Sequence, residues 1–318
     1  MKWGIEDPRL RKGRGLRGVL IAGRIAIAAA IGLLWPAGLC AQEVQPKVYT
    51  PAPIGVNVIT LGYAYSFGAV LFDKTIPVDD ASAHMHSLTV AYSRSIDIFG
   101  RAGRVDVALP FVTGDWEGGF GGEWRTASRT GVADPMFRFA LFFVGAPALT
   151  KEQFARFQPK TVFGGTLRLK APIGQYDPAN LVNLGSNRWA VSPQVGVSHV
   201  DGRLVLEAYV GAWIFSDNNE FLETSTLSQD VLYSFQVHAG YRFRRGFWLV
   251  ASTRQSLGGA TMVDGGDKLA PEANNRVGLT LAVPVGRKYA LKFSAATGIT
   301  TTAGNDYTTL AAVWQVVL

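Results

Sequence analysis

The sequence predicts an all-β fold, a transmembrane antiparallel β-barrel of about twelve strands. Three observations carry that expectation. Apolar residues alternate at period two with small or polar ones over unusually long segments, no apolar run is long enough for a helical span, and the links between segments alternate between short and long. Composition agrees with this. Only 17% of the 318 residues are charged and 36 are glycine, which excludes a disordered, strongly solvated chain.

The first element reads as a signal peptide, residues 1–41. A basic stretch ends at Arg24, an apolar run follows from Ile25 to Leu34, and Trp35-Pro36 breaks it ahead of Ala37-Gly38-Leu39-Cys40-Ala41. The run is about half the ~20 residues that a spanning helix needs. Lys2, Arg9, Arg11, Lys12, Arg14, Arg17 and Arg24, against Glu6 and Asp7, hold most of the formal net charge of +7. The surplus therefore sits in a removable segment, and no nucleic-acid partner is expected. Cys40 is the only cysteine, so the exported chain has no disulfide, thiolate nucleophile or thiolate metal site. A closed ring of hydrogen-bonded strands can hold such a chain together instead.

A periplasmic lead is expected over 42–55, containing Pro46, Pro51 and Pro53, and the barrel over 56–318. In the first strand Ile59, Leu61, Tyr63, Tyr65 and Phe67 share one face, with Thr60, Gly62, Ala64 and Ser66 on the other. The pattern recurs with Leu204 to Ile214, Val231 to Phe243, Tyr289 to Thr297 and Leu310 to Leu318. Read throughout, it gives strands near 56–67, 85–98, 103–113, 133–144, 161–171, 189–199, 203–215, 231–243, 247–257, 276–285, 288–300 and 306–318. Each is about as long as a tilted strand needs to be to cross a bilayer.

Short links fall at 100–103, 201–202, 244–246 and 286–287, with long ones between them at 68–83, 114–131, 172–188, 216–230 and 258–275. Outer-membrane barrels pair short periplasmic turns with long external loops in this way. The link at 145–160 is long for the periplasmic side, and Lys151 to Phe157 within it is expected to form a helical turn. An even strand number puts both chain ends in the periplasm. Because unpaired backbone in hydrocarbon costs several kcal/mol per group, the first strand must pair with the last.

The blocks Gly174-Gln175-Tyr176-Asp177, Leu181-Val182-Asn183-Leu184-Gly185-Ser186-Asn187-Arg188-Trp189 and Gln236-Val237-His238 resemble a bacterial outer-membrane family labelled for a meta-pathway of phenol degradation. Asp217-Asn218 and Arg244-Arg245-Gly246-Phe247-Trp248 extend the resemblance over nearly all of the exported chain. The resemblance implies a transporter-like barrel associated with aromatic catabolism. A passive channel for small hydrophobic or aromatic solutes is thus the expected function, with membrane lipid and the barrel-assembly machinery as the other partners and the bacterial outer membrane as the location.

The alternation places Asp106, Arg138, Arg168, Lys170, Glu207, His238, Arg242, Arg254 and Lys292 on the inward face. Basic groups outnumber acids there, which favours anionic solutes such as aromatic carboxylates, unless the charges merely pair and fill the lumen. On the external side Asn183, Asn187, Arg188 and Trp189 are candidates, Arg188 and Trp189 offering a charge and a ring to one solute. The competing reading gives the asparagines to turns and Trp189 to the interfacial aromatic belt.

Gly118-Gly119-Phe120-Gly121-Gly122 lacks the lysine and helix of a phosphate loop and reads as a mobile external loop. His84 and His86 share a face but have no third ligand at clear spacing, so no metal or cofactor is assigned. Two other functions compete with transport. One is a purely structural barrel. The other is a hydrolase, for which the four histidines offer His238 but no nucleophile motif.

Overall fold

The computed structural model describes residues 44–71, 78–120, 122–268, 271–286, 288–300, 302 and 304–318. The signal peptide expected over 1–41 lies outside them. The strands are β1 (Asn57–Leu71), β2 (Val78–Ile98), β3 (Arg101–Phe120), β4 (Glu123–Val132), β5 (Met136–Val144), β6 (Thr161–Lys170), β7 (Ala190–Asp201) and β8 (Leu204–Phe215). They continue as β9 (Asn218–Phe221), β10 (Ser225–Gln229), β11 (Leu232–Arg244), β12 (Phe247–Gly258), β13 (Thr261–Val263), β14 (Glu272–Val285), β15 (Tyr289–Thr300) and β16 (Gly304–Val317). One helix, α1 (Lys151–Arg156), lies in the long periplasmic link and is closed by a capping box of Thr150 and Gln153.

The main sheet closes into a twelve-stranded antiparallel barrel. β1 pairs with β16 from Val58↔Val317 to Leu71↔Gly304, which seals the ring. β4 and β5 run end to end along β3 and count as one position: Phe111↔Val132 begins the upper pairing and Ala108↔Met136 the lower. Between them Ala133-Asp134-Pro135 breaks the strand, because a proline cannot donate to the ladder. Gly100, Gly202, Gly246 and Gly286 take positive φ at the short periplasmic turns, a conformation that costs glycine nothing.

Four of the predicted links differ from expectation. Most of 114–131 is strand, with β3 and β4 paired up to Phe120↔Glu123, so Gly118 and Gly119 are ladder residues and not part of a loop. β2 likewise starts at Val78. These hairpin extensions carry Glu117, Arg125 and Ser128, and polar residues on both faces erase the one-sided pattern that marks a membrane strand. In the links 216–230 and 258–275, β9, β10 and β13 form a separate three-stranded sheet.

The two faces of the wall differ as the alternation demands. Leu61, Val90, Leu109, Phe139, Leu167, Val210, Val237, Leu279 and Trp314 point outward and are exposed. In water each would forgo roughly 1.5–3 kcal/mol of burial, which lipid contact recovers. Inward lie Ser192, Gln194, Glu207, Ser234, Gln236, His238, Arg254 and Arg276, all buried. The interior is polar and densely filled.

Candidate solute path through the barrel

The lead expected in the periplasm is instead threaded into the barrel. Lys47 N donates to Glu207 Oε2 at 2.7 Å, Val48 N to Tyr209 Oη at 3.2 Å, and Tyr49 Oη to the Gln194 carbonyl at 3.2 Å. From β5 and β3, further round the same arc of wall, Arg138 Nη1 donates to Gln45 Oε1 at 3.0 Å and Arg104 Nη2 to the Val48 carbonyl at 3.2 Å. The chain then leaves towards β1, with Ile54 N on the Leu149 carbonyl and Gly55 N on the Ser95 carbonyl. Residues 45–49 therefore form a stopper across the lumen.

Tyr49 is the anchor of that stopper. It is fully buried, with Tyr209 edge-on at 4.9 Å and Phe142 at 6.4 Å between ring centroids. Its ring rests on a cross-strand glycine pair, Gly164↔Gly196. A Cβ on Gly196 would come within 2.3 Å of Tyr49 Cε2, and one on Gly164 within 2.7 Å of Cδ1. Only a wall without side chains at both positions leaves room for the ring.

A charged cluster braces the wall beside it. Asp106 Oδ2 accepts from Arg138 Nε at 2.7 Å and from Arg104 Nε at 3.2 Å, while Ser93 donates to its other oxygen. Glu207 faces the Lys47 backbone, and Lys47 and Lys292 extend their ammonium groups towards the Trp248 ring, at 5.4 and 5.9 Å from its centroid. Arg242 is exposed at the periplasmic rim and donates to the Gly202 carbonyl at 2.8 Å. Arg254 is buried and donates to Ser256 Oγ at 3.3 Å. Every inward candidate thus lies on the inner face or its rim, spread over the full height of the barrel.

His238 is buried against Tyr209, with ring centroids 4.6 Å apart, and its Nδ1 pairs with Ser252 Oγ at 2.8 Å. A serine–histidine contact is two-thirds of a hydrolytic triad. Here Nε2, the atom that an orienting carboxylate would hold, has no partner among the described residues. His84 and His86 face outward and bond the hydroxyls of Tyr65 and Tyr63 at 3.0 and 2.7 Å. The described residues contain no group of three potential metal ligands.

The external candidates separate into different roles. Asn183 closes a turn, accepting from Asp177 N at 2.9 Å and donating to the Asp177 and Asn180 carbonyls. Asn187 sits at φ 50° and ties this segment to Asn218 and Glu220. Arg188 turns inward, its guanidinium 4.6 Å above the Phe215 ring, whereas Trp189 is exposed on the wall and pairs its backbone with Ser216. With Arg188 on Phe215 inside and Trp189 exposed outside, the two do not face one solute together.

Lys170 leads to a residue that the sequence does not single out. Its Nζ lies 3.2 Å from Asp134, which is fully buried at the β4–β5 break and also accepts from Gly174 N, Ser186 N and Ser186 Oγ at 3.0, 2.8 and 2.6 Å. One carboxylate thereby fastens the segment 172–189 to the wall. Asp134→Ala is expected to cost about 3 kcal/mol, since it strands an ammonium and two backbone donors. Urea titration of the folded barrel measures the loss, and faster proteolysis within 172–189 locates it.

The sequence also passes over Tyr49, Tyr209, Trp213 and Gln194. The one usable signal was glycine at Gly164 and Gly196 inside strong strand patterns, which marks a close approach of another group.

Comparison with a solved outer membrane channel shows the same fold. An outer membrane channel from Pseudomonas putida F1 superposes with a TM-score of 0.73 at 21% identity, over 87% of this chain and 100% of that one. The translocator domain of autotransporter NalP from Neisseria meningitidis gives 0.46 at 10% identity, over 94% and 95%. The CymD monoaromatic hydrocarbon channel gives 0.41 at 8%, over 84% and 89%. No curated protein matches the sequence. The model of one sequence family does match, over residues 72–315, which takes in most of the barrel wall and the 172–189 segment, and the chain belongs to that family, "Putative MetA-pathway of phenol degradation".

Proposed function

We propose that this barrel is an outer-membrane channel for the passive uptake of small hydrophobic or aromatic solutes. The stopper supports this reading. A barrel serving only as a wall element needs no polar interior, and side chains alone can fill a small ring. Here a chain segment occupies the lumen, held by hydrogen bonds to groups on four strands and by no ladder pairing, so it can be withdrawn without unpairing the wall. Movement down a gradient needs no bond-making residue, and all four histidines engage hydroxyl groups: Tyr65, Tyr63, Thr161 and Ser252. Lipid outside and the assembly machinery during insertion complete the set of partners.

Vesicles containing the purified barrel test the reading. Benzyl alcohol is expected to cross faster than a sugar of similar size. Equal rates would leave a general pore, and no protein-dependent flux of either would leave the structural barrel.

A further inference from the structure

Above the stopper the inner wall carries a column in which two stacked aromatic rings lie between two guanidinium groups. Trp213 and Phe215 are successive inward residues of β8, with their rings 6.5 Å apart and 17° from parallel. Arg168 of β6 lies 4.8 Å from the centre of Trp213, and Arg188 lies 4.6 Å from the centre of Phe215. A guanidinium thus covers each end of an aromatic pair. Arg168 is aimed by Ser192 Oγ at 2.9 Å, and Arg188 by Gln229 Oε1 at 2.5 Å.

A second observation points to a ligand at the same place. Among the described residues the buried Trp213 indole N–H has no acceptor, and Ser234 Oγ on the neighbouring strand, one inward position away from Leu232↔Trp213, is buried and unpaired as well. Buried donors of this kind are ordinarily satisfied. Both belong to the wall that bears the column.

We propose that the Arg168–Trp213–Phe215–Arg188 column is a binding site for a planar ring-bearing carboxylate. Arg168 and the Trp213 and Ser234 donors take the carboxylate oxygens, and the ring lies against the aromatic pair, towards Arg188. A cationic solute is repelled by the same guanidinium groups. A neutral aliphatic one satisfies neither feature. The site rests on the channel reading and narrows it, placing selection on the external side of the stopper.

Benzoate, cyclohexanecarboxylate and benzyl alcohol distinguish the two claims in vesicles holding the full-length barrel. Benzoate flux is expected to saturate and to exceed that of cyclohexanecarboxylate. Trp213→Leu and Arg168→Met are each expected to reduce benzoate flux by about tenfold, and benzyl alcohol flux by clearly less. Trp213→Phe keeps the ring but removes the N–H, and is expected to raise the half-saturating benzoate concentration while still folding, as judged by heat-dependent gel migration. Unsaturable benzoate flux, or flux indifferent to all three substitutions while benzyl alcohol still crosses, would overturn the site and leave the channel. Absence of protein-dependent benzyl alcohol flux with the unaltered barrel would overturn the channel, and the site with it.

Discussion

Deleting residues 44–53 is expected to raise single-channel conductance on the order of tenfold, because a twelve-stranded ring lies between barrels filled by side chains and those with open pores. The deletion removes Gln45, Lys47, Val48 and Tyr49 from the lumen but touches no ladder hydrogen bond, since β1 begins at Asn57. Gly196→Val is expected to give much of the same increase with the whole lead still present. Its side chain occupies the place of the Tyr49 ring, which lies 2.3 Å from even a Cβ there, and strands β6 and β7 are too tightly paired to yield. The two variants also separate the stopper from the mere bulk of the lead. If the glycine substitution left planar-bilayer currents unchanged while the deletion raised them, Tyr49 would not be the anchor.

The legible and illegible parts of this chain divide along one physical line. Strand positions and the direction of each wall residue follow from local alternation, because lipid and lumen impose opposite demands on successive side chains. Arg138, Arg168, Glu207, His238 and Arg254 accordingly point inward as their parity requires. The hairpin extensions of β2, β3 and β4 escape notice because water lies on both of their faces. The fate of the lead is not a local property. Nothing in Gln45-Pro46-Lys47-Val48-Tyr49 shows that it enters a barrel, since its partners Glu207, Tyr209 and Gln194 lie about half the chain away and only closure brings them together. Arg188 and Trp189 both precede β7, which begins at Ala190, one residue beyond the expected start, so no strand alternation announces their opposite directions.

Asp106→Ala is expected to destabilise the barrel by about 3–5 kcal/mol, the range for removing one partner from a buried charge cluster. Asp106 is the acid between Arg104 and Arg138, at 3.2 and 2.7 Å, and its side chain is only 10% exposed. Without it two guanidinium groups on adjacent strands β3 and β5 face each other across a space lined by Ser93. Their repulsion is weakly screened there, because a filled lumen holds little water or salt. Arg138→Met in the same chain removes one of the repelling charges, so the double variant is expected to be more stable than Asp106→Ala alone. That sign is the informative result. If Asp106 acted only as a hydrogen-bond acceptor for Ser93, losing Arg138 as well would add a further cost, and the urea midpoint of the double variant would fall below that of the single one.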